Sequence, residues 1–322
     1  MIKLLKRVLF WGGGALVLAL AVALSLQWSL SHLALARNPP PGEMVVVGER
    51  QIHLLCQGQG SPAVILESGI PGSSLGWASV IEDIASFATV CAYDRAGYGW
   101  SQAGPEPRTI SNIARELRDL LRTARVDPPY ILAGHSFGGL VVQLYASRFP
   151  DDVAGMVLVD SSHPDLARRP GQFERIDGVA FRLKLLAPLG IPRLMIDPPT
   201  GSPESRASSV RAMEKEILST TRSFWTIASE MKGLRESLNQ AAEDRPQLGR
   251  KPLVVLTEGQ RRREFWHVMQ EKLTELSDAS EWQVVNGAGH FIHQDKPDIV
   301  VDAVRRVVES TRNSRANAAI SE

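Results

Sequence analysis

The sequence predicts an α/β fold, a mostly parallel eight-stranded sheet that is flanked by helices and carries an inserted helical cap. Short β-branched runs alternate with segments of helical periodicity from Met44 onward, which is typical of parallel strands joined by crossover helices. Several of these runs are almost wholly apolar, as strands covered on both faces should be. The alternation breaks once, over 161–250, and helical patterns alone over roughly 90 residues indicate a cap and not a loop.

Eight segments have the length and composition of strands. They are 44–48, 51–56, 63–68, 89–94, 129–134, 154–159, 252–257 and 281–286. Apolar residues recur at helical spacing between them, for example over 110–124, 140–145 and 299–307. We therefore divide the folded part into a first core segment, the cap, a second core segment and a polar, flexible tail, which cover 44–160, 161–250, 251–310 and 311–322.

Charge and composition exclude several classes of protein. The 322 residues include 36 Lys and Arg against 35 Asp and Glu, a net charge of +1, and no short basic block stands out. This balance gives no positive field for a phosphate backbone, so we predict no nucleic-acid partner. The apolar fraction of 44% excludes general disorder, and two cysteines are too few for a disulfide framework.

The N-terminus has the composition of a membrane segment. Lys3, Lys6 and Arg7 precede an uncharged stretch over 8–30, and roughly 20 helical residues span a hydrocarbon core. Cations before the stretch favour a cytoplasmic N-terminus, with the rest of the chain outside the cytoplasm. We predict a single-pass signal-anchor over 1–37, followed by a proline-rich linker over 38–43.

A cleaved signal is the alternative for this segment. Ala34-Leu35-Ala36 has the small-x-small pattern of a signal-peptidase site, and cleavage there would give a secreted protein. Cleavable signals, however, usually have an apolar region of only about 7–15 residues. The stretch here is longer, so we favour the anchor.

The pattern G-x-S-x-G, typical of a serine nucleophile, occurs twice, around Ser136 and around Ser74. A nucleophile elbow needs a strand directly before the serine and a helix directly after it. Ser136 follows the strand-like 130–133 and precedes a helical pattern. Ser74 follows a loop and fits the start of a helix as an N-cap. We predict Ser136 as the nucleophile.

A serine hydroxyl needs a positioned base, and that base is usually histidine. Of the seven histidines, His290 lies on a glycine-rich loop after the last strand, where a triad of this chain order places its base. His293 on the same loop is the second candidate. A metal site at this pair is not favoured because no HExxH pattern or third ligand accompanies it, and no cofactor is predicted.

The acid that orients the histidine belongs at a neighbouring strand end. Asp160 closes the strand 154–159 and Glu258 closes the strand 252–257. We favour Asp160, with Glu258 as the alternative acid, and Asp278 is set aside because it precedes its strand. Backbone N–H groups of Phe137 and Ile70 are the predicted oxyanion hole, because tetrahedral intermediates need such donors.

Taken together, these residues resemble the α/β-hydrolase superfamily, especially its capped proline iminopeptidase-like and esterase-like members. The resemblance covers about 44–310 and rests on Gly69–Gly72, the D-x-x-G-x-G-x-S segment Asp94–Ser101, Gly134–Gly138 and Gly289-His290. It implies that the strands carrying the two cysteines are adjacent.

That adjacency favours a disulfide between Cys56 and Cys91 over two buried free thiols, which the residues alone leave equally open. The chain departs from the family's pattern at two places. Glu67-Ser68-Gly69 stands where many relatives have His-Gly. Thr257–Gln260 replaces the usual Gly-x-x-Asp, while the fold also accepts an acid after the sixth strand.

The sequence therefore predicts a membrane-anchored serine hydrolase that cleaves an ester or amide-type carbonyl through an acyl-enzyme. The alternative is a non-catalytic ligand-binding or interaction protein on the same fold. Apolar cap residues are candidate walls for a pocket that takes an apolar small-molecule substrate; they are Phe173, Phe181, Leu185, Leu186, Leu189, Phe224 and Trp225.

Overall fold

The computed structural model describes residues 1–169, 171–195, 208–260 and 264–320. Its eight strands are β1 (Glu43–Val47), β2 (Arg50–Gln57), β3 (Ala63–Glu67), β4 (Val90–Tyr93), β5 (Tyr130–His135), β6 (Val153–Val159), β7 (Leu253–Glu258) and β8 (Ser280–Val285). They form one sheet in the order β1-β2-β4-β3-β5-β6-β7-β8. The predicted mostly parallel eight-stranded sheet is confirmed.

Pairing within the sheet changes once from antiparallel to parallel. Strands β1, β2 and β4 pair antiparallel, and the pairs from β4–β3 through to β7–β8 are parallel. Every residue of β3, β5 and β7 is buried, whereas the edge strand β8 is mostly exposed or half-buried. Uninterrupted apolar runs therefore occupy the middle of the sheet, where both faces are covered.

Twelve α-helices lie in the described parts of the chain. They are α1 (Ile2–Arg37), α2 (Ala78–Ala85), α3 (Ile110–Thr123), α4 (Phe137–Arg148), α5 (Gln172–Leu186), α6 (Ile191–Met195), α7 (Ser208–Leu218), α8 (Thr221–Lys232), α9 (Leu234–Glu243), α10 (Glu264–Lys272), α11 (Ile292–Asp295) and α12 (Pro297–Ile320). Short 3₁₀ helices cover Ser74–Trp77, Pro150–Asp152, Pro164–Arg168, Ala187–Leu189 and Leu273–Leu276.

Helices cover both faces of the sheet. On one face, Leu117 of α3 and Leu140 of α4 belong to the same buried cluster as Leu132 of β5. On the other, Ile84 of α2 and Val304 of α12 share a cluster with alternate residues of the strands. Side chains of successive strand residues point to opposite faces, so each strand contributes to both clusters.

The interval between β6 and β7 carries helices α5 to α9. Helix α5 packs against α8, and Leu183, Ile217 and Phe224 contribute to an apolar cluster. This cluster also includes Leu75, Tyr98 and Trp100, so it joins the cap to the core. The interval enters and leaves the sheet through the neighbouring strands β6 and β7. The cap helices are therefore an insertion between two strands that are neighbours in the sheet.

The C-terminal helix extends into the segment 311–322, for which the sequence predicts a flexible tail. Helix α12 continues to Ile320. The Thr311 side chain is buried, and the Arg312 guanidinium donates to the carbonyls of Ser61 and Phe87 at 3.0 and 2.9 Å. These contacts attach the helix to the core beyond its last apolar turn. The polar composition of the segment does not predict them.

The first helix, α1, is long and apolar enough to cross a membrane, by its length and composition. Its residues 2–22 are exposed, and its second half lies against the cap. Gln27 is buried there; it donates to the Ser219 carbonyl at 3.2 Å and accepts from Arg193 Nε at 3.0 Å. The Asn38 amide donates to Glu216 at 2.9 Å, so the segment predicted as a linker is attached to the cap.

A disulfide joins the two cysteines of the chain. Cys56 of β2 lies opposite Cys91 of β4 in the antiparallel ladder, and their sulfur atoms are bonded. The bond therefore ties the antiparallel part of the sheet to the first strand of its parallel part.

Candidate active site

Ser136, the serine of the G-x-S-x-G pattern at 134–138, lies on a tight turn between β5 and α4. Ser136 has φ 52° and ψ −120°, a conformation that costs a non-glycine residue energy. A Cβ atom added to Gly138 would lie 2.5 Å from the carbonyl oxygens of Glu67 and Ser68. Glycine is required there because α4 begins directly against β3, and this close approach presents Ser136 at the edge of the sheet.

Three side chains from three strand ends form a hydrogen-bonded chain at this edge. Ser136 Oγ lies 2.9 Å from His290 Nε2, and His290 Nδ1 lies 2.6 Å from Asp160 Oδ2. They follow β5, β8 and β6 respectively. Carboxyl ends of parallel strands meet at one edge of a sheet, which explains how residues up to 154 positions apart come into contact. The His290 side chain is 34% exposed, so the site is open to a ligand.

The second oxygen of Asp160 is also fixed. Oδ1 accepts from the Glu258 backbone N–H at 3.0 Å and from Trp266 Nε1 at 2.8 Å, and the residue is almost fully buried. Glu258, the alternative acid, thus contributes its backbone to Asp160, and Asp160 is the carboxylate on His290. Trp266 lies on α10 and belongs to none of the sequence patterns described above, so no local signal distinguishes it.

The two segments predicted to form the oxyanion hole border Ser136. The loop after β3 passes directly beside it, since a Cβ atom on Gly69 would lie 3.1 Å from Ser136 Cβ. Ile70 is the next residue of this loop and is half-buried. Phe137 begins α4, where backbone N–H groups have no acceptor within the helix.

A buried arginine holds the same loop from the other side. Arg95 donates to the carbonyls of Ser68 and Gly69 at 2.5 and 2.7 Å, to Glu67 at 2.8 Å, and to both carboxylate oxygens of Glu230 at 2.9 Å. Glu230 lies on α8 of the cap. Arg95 is part of the D-x-x-G-x-G-x-S segment, yet its contacts depend on a cap residue 135 positions away.

The other histidines at this edge are buried and packed together. Burial, followed by the neighbouring His293 and His290, lowers the pKa of His135 well below its usual value. Its Nε2 lies 2.9 Å from the His290 carbonyl, which fixes the loop that carries His290. His293, the second candidate base, is buried against the rings of Trp77 and His135, and it is His290 that reaches Ser136.

Ser74, the serine of the other G-x-S-x-G pattern, at 72–76, is fully buried. The Ser74 N–H donates to Asp94 at 2.7 Å, and its hydroxyl lies 3.4 Å from His53 Nδ1. Asp94 also lies 3.0 Å from the same nitrogen of His53. Serine and aspartate therefore share one ring nitrogen, whereas proton relay would need one group on each nitrogen. The cluster fixes the start of the 3₁₀ helix Ser74–Trp77.

The apolar cap residues divide into three groups by exposure, and Leu186 and Leu189 form the half-buried group. Phe173 and Phe224 are buried in the apolar clusters of the protein, so they are packing residues and not exposed walls. Phe181, Leu185 and Trp225 are exposed. Within the described residues, no group of three or more His, Cys, Asp or Glu side chains could hold a metal ion.

Comparison with known proteins matches residues 62–297 to the model of the alpha/beta hydrolase fold family. The Bacillus subtilis protein YqjL, itself uncharacterized, is 28% identical over 249 residues, which cover 76% of this chain and 82% of YqjL. A thermophilic esterase from Thermogutta terrifontis superposes with a TM-score of 0.68 at 23% identity, covering 83% of this chain and 97% of the esterase. An enol-lactonase from Burkholderia xenovorans gives 0.63 at 18%, covering 84% and 100%. The structural matches show the fold.

Proposed function

This chain belongs to the α/β-hydrolase fold family, and on that premise we propose that it is a serine hydrolase that cleaves an ester or amide carbonyl through an acyl-enzyme. The hydrogen-bonded chain of Ser136, His290 and Asp160 carries the proposal. Its hydrogen-bond distances of 2.9 and 2.6 Å support a nucleophile, a base and an orienting acid in the order that proton transfer requires. The similarity to an esterase and an enol-lactonase agrees with a carbonyl substrate.

Each residue has one role in the proposed reaction. His290 Nε2 takes the hydroxyl proton as Ser136 Oγ attacks the carbonyl carbon, and Asp160 stabilises the imidazolium that forms. The N–H groups of Phe137 and Ile70 stabilise the negative charge on the carbonyl oxygen. His290 then protonates the leaving group, and a water molecule that His290 deprotonates releases the acyl group from Ser136.

Fluorophosphonate labelling of the full chain tests the serine mechanism. Wild type should be labelled and Ser136→Ala should not. Ser74→Ala is the matched control, because Ser74 lies in the same sequence pattern and should leave labelling intact. A folded wild type that is not labelled would instead favour the non-catalytic binding protein. A series of esters of increasing chain length, beside aminoacyl amides, then defines the substrate class, for which we propose an apolar ester.

We also propose that α1 remains attached as a single-pass anchor with the catalytic domain outside the cytoplasm. Cleavage after Ala36 would remove Gln27, whose side chain is 1% exposed and bonded to Arg193 and Ser219 of the cap. Mass measurement of the chain purified from membranes tests the proposal. A mass that lacks 1–36 would support the secreted alternative.

A further inference from the structure

Arg95 connects the cap to the loop that borders Ser136. A guanidinium group has five N–H donors, and each donor of Arg95 has an acceptor: two oxygens of Glu230, one of Glu67, and the carbonyls of Ser68 and Gly69. The side chain is 1% exposed. Such complete pairing in a buried site fixes the orientation of the group.

The bond to the Gly69 carbonyl bears directly on the oxyanion hole. Peptide groups are planar, so the carbonyl of Gly69 and the N–H of Ile70 belong to one rigid unit and point in opposite directions. Arg95 Nη2 lies 2.7 Å from that carbonyl oxygen. Holding the oxygen therefore sets the direction of the Ile70 N–H, the donor assigned to the oxyanion.

The cap determines where Arg95 itself lies. Glu230 of α8 binds Arg95 through both carboxylate oxygens and also accepts from the Tyr98 hydroxyl at 2.8 Å. Glu67, at the end of β3, binds Arg95 and accepts from the Tyr93 hydroxyl. Of the two carboxylates that bind Arg95, Glu67 belongs to the sheet and Glu230 to the cap. Displacement of the cap would therefore remove one of the two ion pairs of Arg95.

We propose that Arg95 is a positioning residue that aligns the Ile70 N–H with the oxyanion, and that Glu230 makes this alignment depend on the seating of the cap. The proposal rests on the serine mechanism proposed above. It assigns the cap a role in transition-state stabilisation.

Arg95→Lys keeps the positive charge but offers three N–H donors on one nitrogen, so it cannot bind the five acceptors that Arg95 holds. We expect kcat per labelled Ser136 to fall about 100-fold, as on loss of one oxyanion donor, with KM changed only a few-fold. Tyr98→Phe removes one hydrogen bond to Glu230 and should lower kcat less than Arg95→Lys. It replaces Arg95→Lys as the test if that variant does not fold. Active-site titration separates slow chemistry from a reduced folded fraction.

Arg108→Lys is the matched control. Arg108 is equally buried and binds both oxygens of Glu116 at 2.8 Å, but it does not contact the loop after β3. It should lose thermal stability while keeping its kcat per labelled serine. A folded Arg95→Lys with wild-type kcat, or an equal fall in Arg108→Lys, would overturn the positioning role. Absence of labelling in wild type would instead refute the serine mechanism.

A separate observation concerns the exposed apolar surface of the cap beside α1. Leu194 and Met195 are 87% and 77% exposed and directly follow Arg193, which binds Gln27 of α1. Trp225 is 45% exposed and lines a groove of about 870 Å³ together with Leu24 and other residues of α1. Both sets of exposed apolar side chains adjoin α1, and exposed apolar surface of this kind indicates an interaction surface.

The position of α1 identifies the partner. Trp11 and Trp28 are both exposed on it, and their separation along the helix is about 26 Å, close to the thickness of a hydrocarbon core. Tryptophan is enriched at both membrane interfaces. The cap touches α1 from about Leu24 onward. Leu24 lies about 6 Å on the membrane side of Trp28, which the proposed orientation puts at the outer interface. We infer that the cap surface around Leu194, Met195 and Trp225 lies on the lipid of the outer leaflet; this rests on the anchoring proposed above.

Fluorescence quenching in lipid vesicles tests the contact. Both cysteines of the chain are in the disulfide, so a single added cysteine can be labelled selectively. Leu194→Cys, Leu18→Cys and Asp278→Cys, each carrying an NBD fluorophore, are reconstituted in phosphatidylcholine vesicles with nitroxide-labelled phosphatidylcholine. Leu18 reports insertion of the anchor. Asp278 is the negative control, because it is exposed and lies just before the amino end of β8, whereas Ser136 and His290 lie beyond the carboxyl ends of the strands.

Quenching at Leu18 and Leu194 without quenching at Asp278 supports the surface. Quenching at Leu18 alone overturns it and leaves the anchor intact. The absence of quenching at Leu18 refutes the anchor and, with it, the membrane contact of the cap.

Discussion

Asp160 contacts His290 with one carboxylate oxygen, at 2.6 Å from Nδ1, and accepts two N–H groups with the other. The acid is thus oriented by the backbone of Glu258 and the indole of Trp266 before it orients the imidazole. In the proposed mechanism, Nδ1 is directed at Asp160, and Nε2 of His290 is therefore left to accept the proton of Ser136.

Asp160→Asn should lower kcat by about 10⁴-fold, because the amide can favour the wrong tautomer of His290 and cannot stabilise its cation. Glu258→Gln should retain most of the activity, since Glu258 supports Asp160 through its backbone N–H, which the substitution leaves in place. Steady-state kinetics on the most reactive ester measures both. A larger loss in Glu258→Gln than in Asp160→Asn would reverse the assignment of the acid.

Trp266→Phe removes the indole N–H from Asp160 but keeps an aromatic ring. We expect kcat to fall about 10-fold, which corresponds to one hydrogen bond to a charged group. Trp282→Phe is the control, because Trp282 donates to Thr257 Oγ1 at 2.8 Å, away from His290. Equal kcat values for the two variants would show that Trp266 does not support the acid.

Reduction of the Cys56–Cys91 disulfide should lower the free energy of unfolding by about 2–4 kcal/mol, because the bond closes a loop of moderate length in the unfolded chain. Thermal unfolding of the full chain in detergent, with and without reductant, measures the change. The double variant Cys56→Ala, Cys91→Ala should already show the lower stability and should not respond to reductant. A reductant effect of the same size in this variant would refute the assignment.

Stability should fall as the pH drops from about 6.5 to about 4. Burial lowers the pKa of His163 to about 4, so in this interval the unfolded chain binds a proton that the folded protein does not. His135 acts in the same direction, since its pKa is also lowered. Urea unfolding across this interval should show a smaller pH dependence in His163→Gln than in wild type. An unchanged slope would contradict the contribution of His163.

Gln27→Leu should loosen the cap from α1 without preventing membrane insertion, because leucine is more apolar than glutamine. It leaves Arg193 Nε without the acceptor that it has at 3.0 Å, a loss of about 1–3 kcal/mol for a buried donor. Limited proteolysis of the cap in detergent should become faster. The control Asn239→Leu changes an exposed position of α9, and this variant should be cleaved at the wild-type rate.

Local patterns determined much of this protein. Strand lengths, the elbow at Ser136 and the loop position of His290 follow from apolar runs and glycine spacing, and each observed strand begins and ends within about one residue of its expected bounds. The apolar stretch of α1 is likewise a property of neighbouring residues. Such features are encoded locally because side-chain periodicity and backbone sterics act over a few residues.

Only the tertiary structure decided between residues that look alike along the chain. Asp160 and Glu258 both end buried strands, and the packing of β6, β7 and the loop of His290 brings Asp160 to Nδ1. Trp266 and Glu230 acquire their contacts from helices far away in sequence, and α12 continues past residue 311 because Arg312 finds carbonyl acceptors across the fold. These outcomes depend on distances between separate segments, which no local pattern specifies.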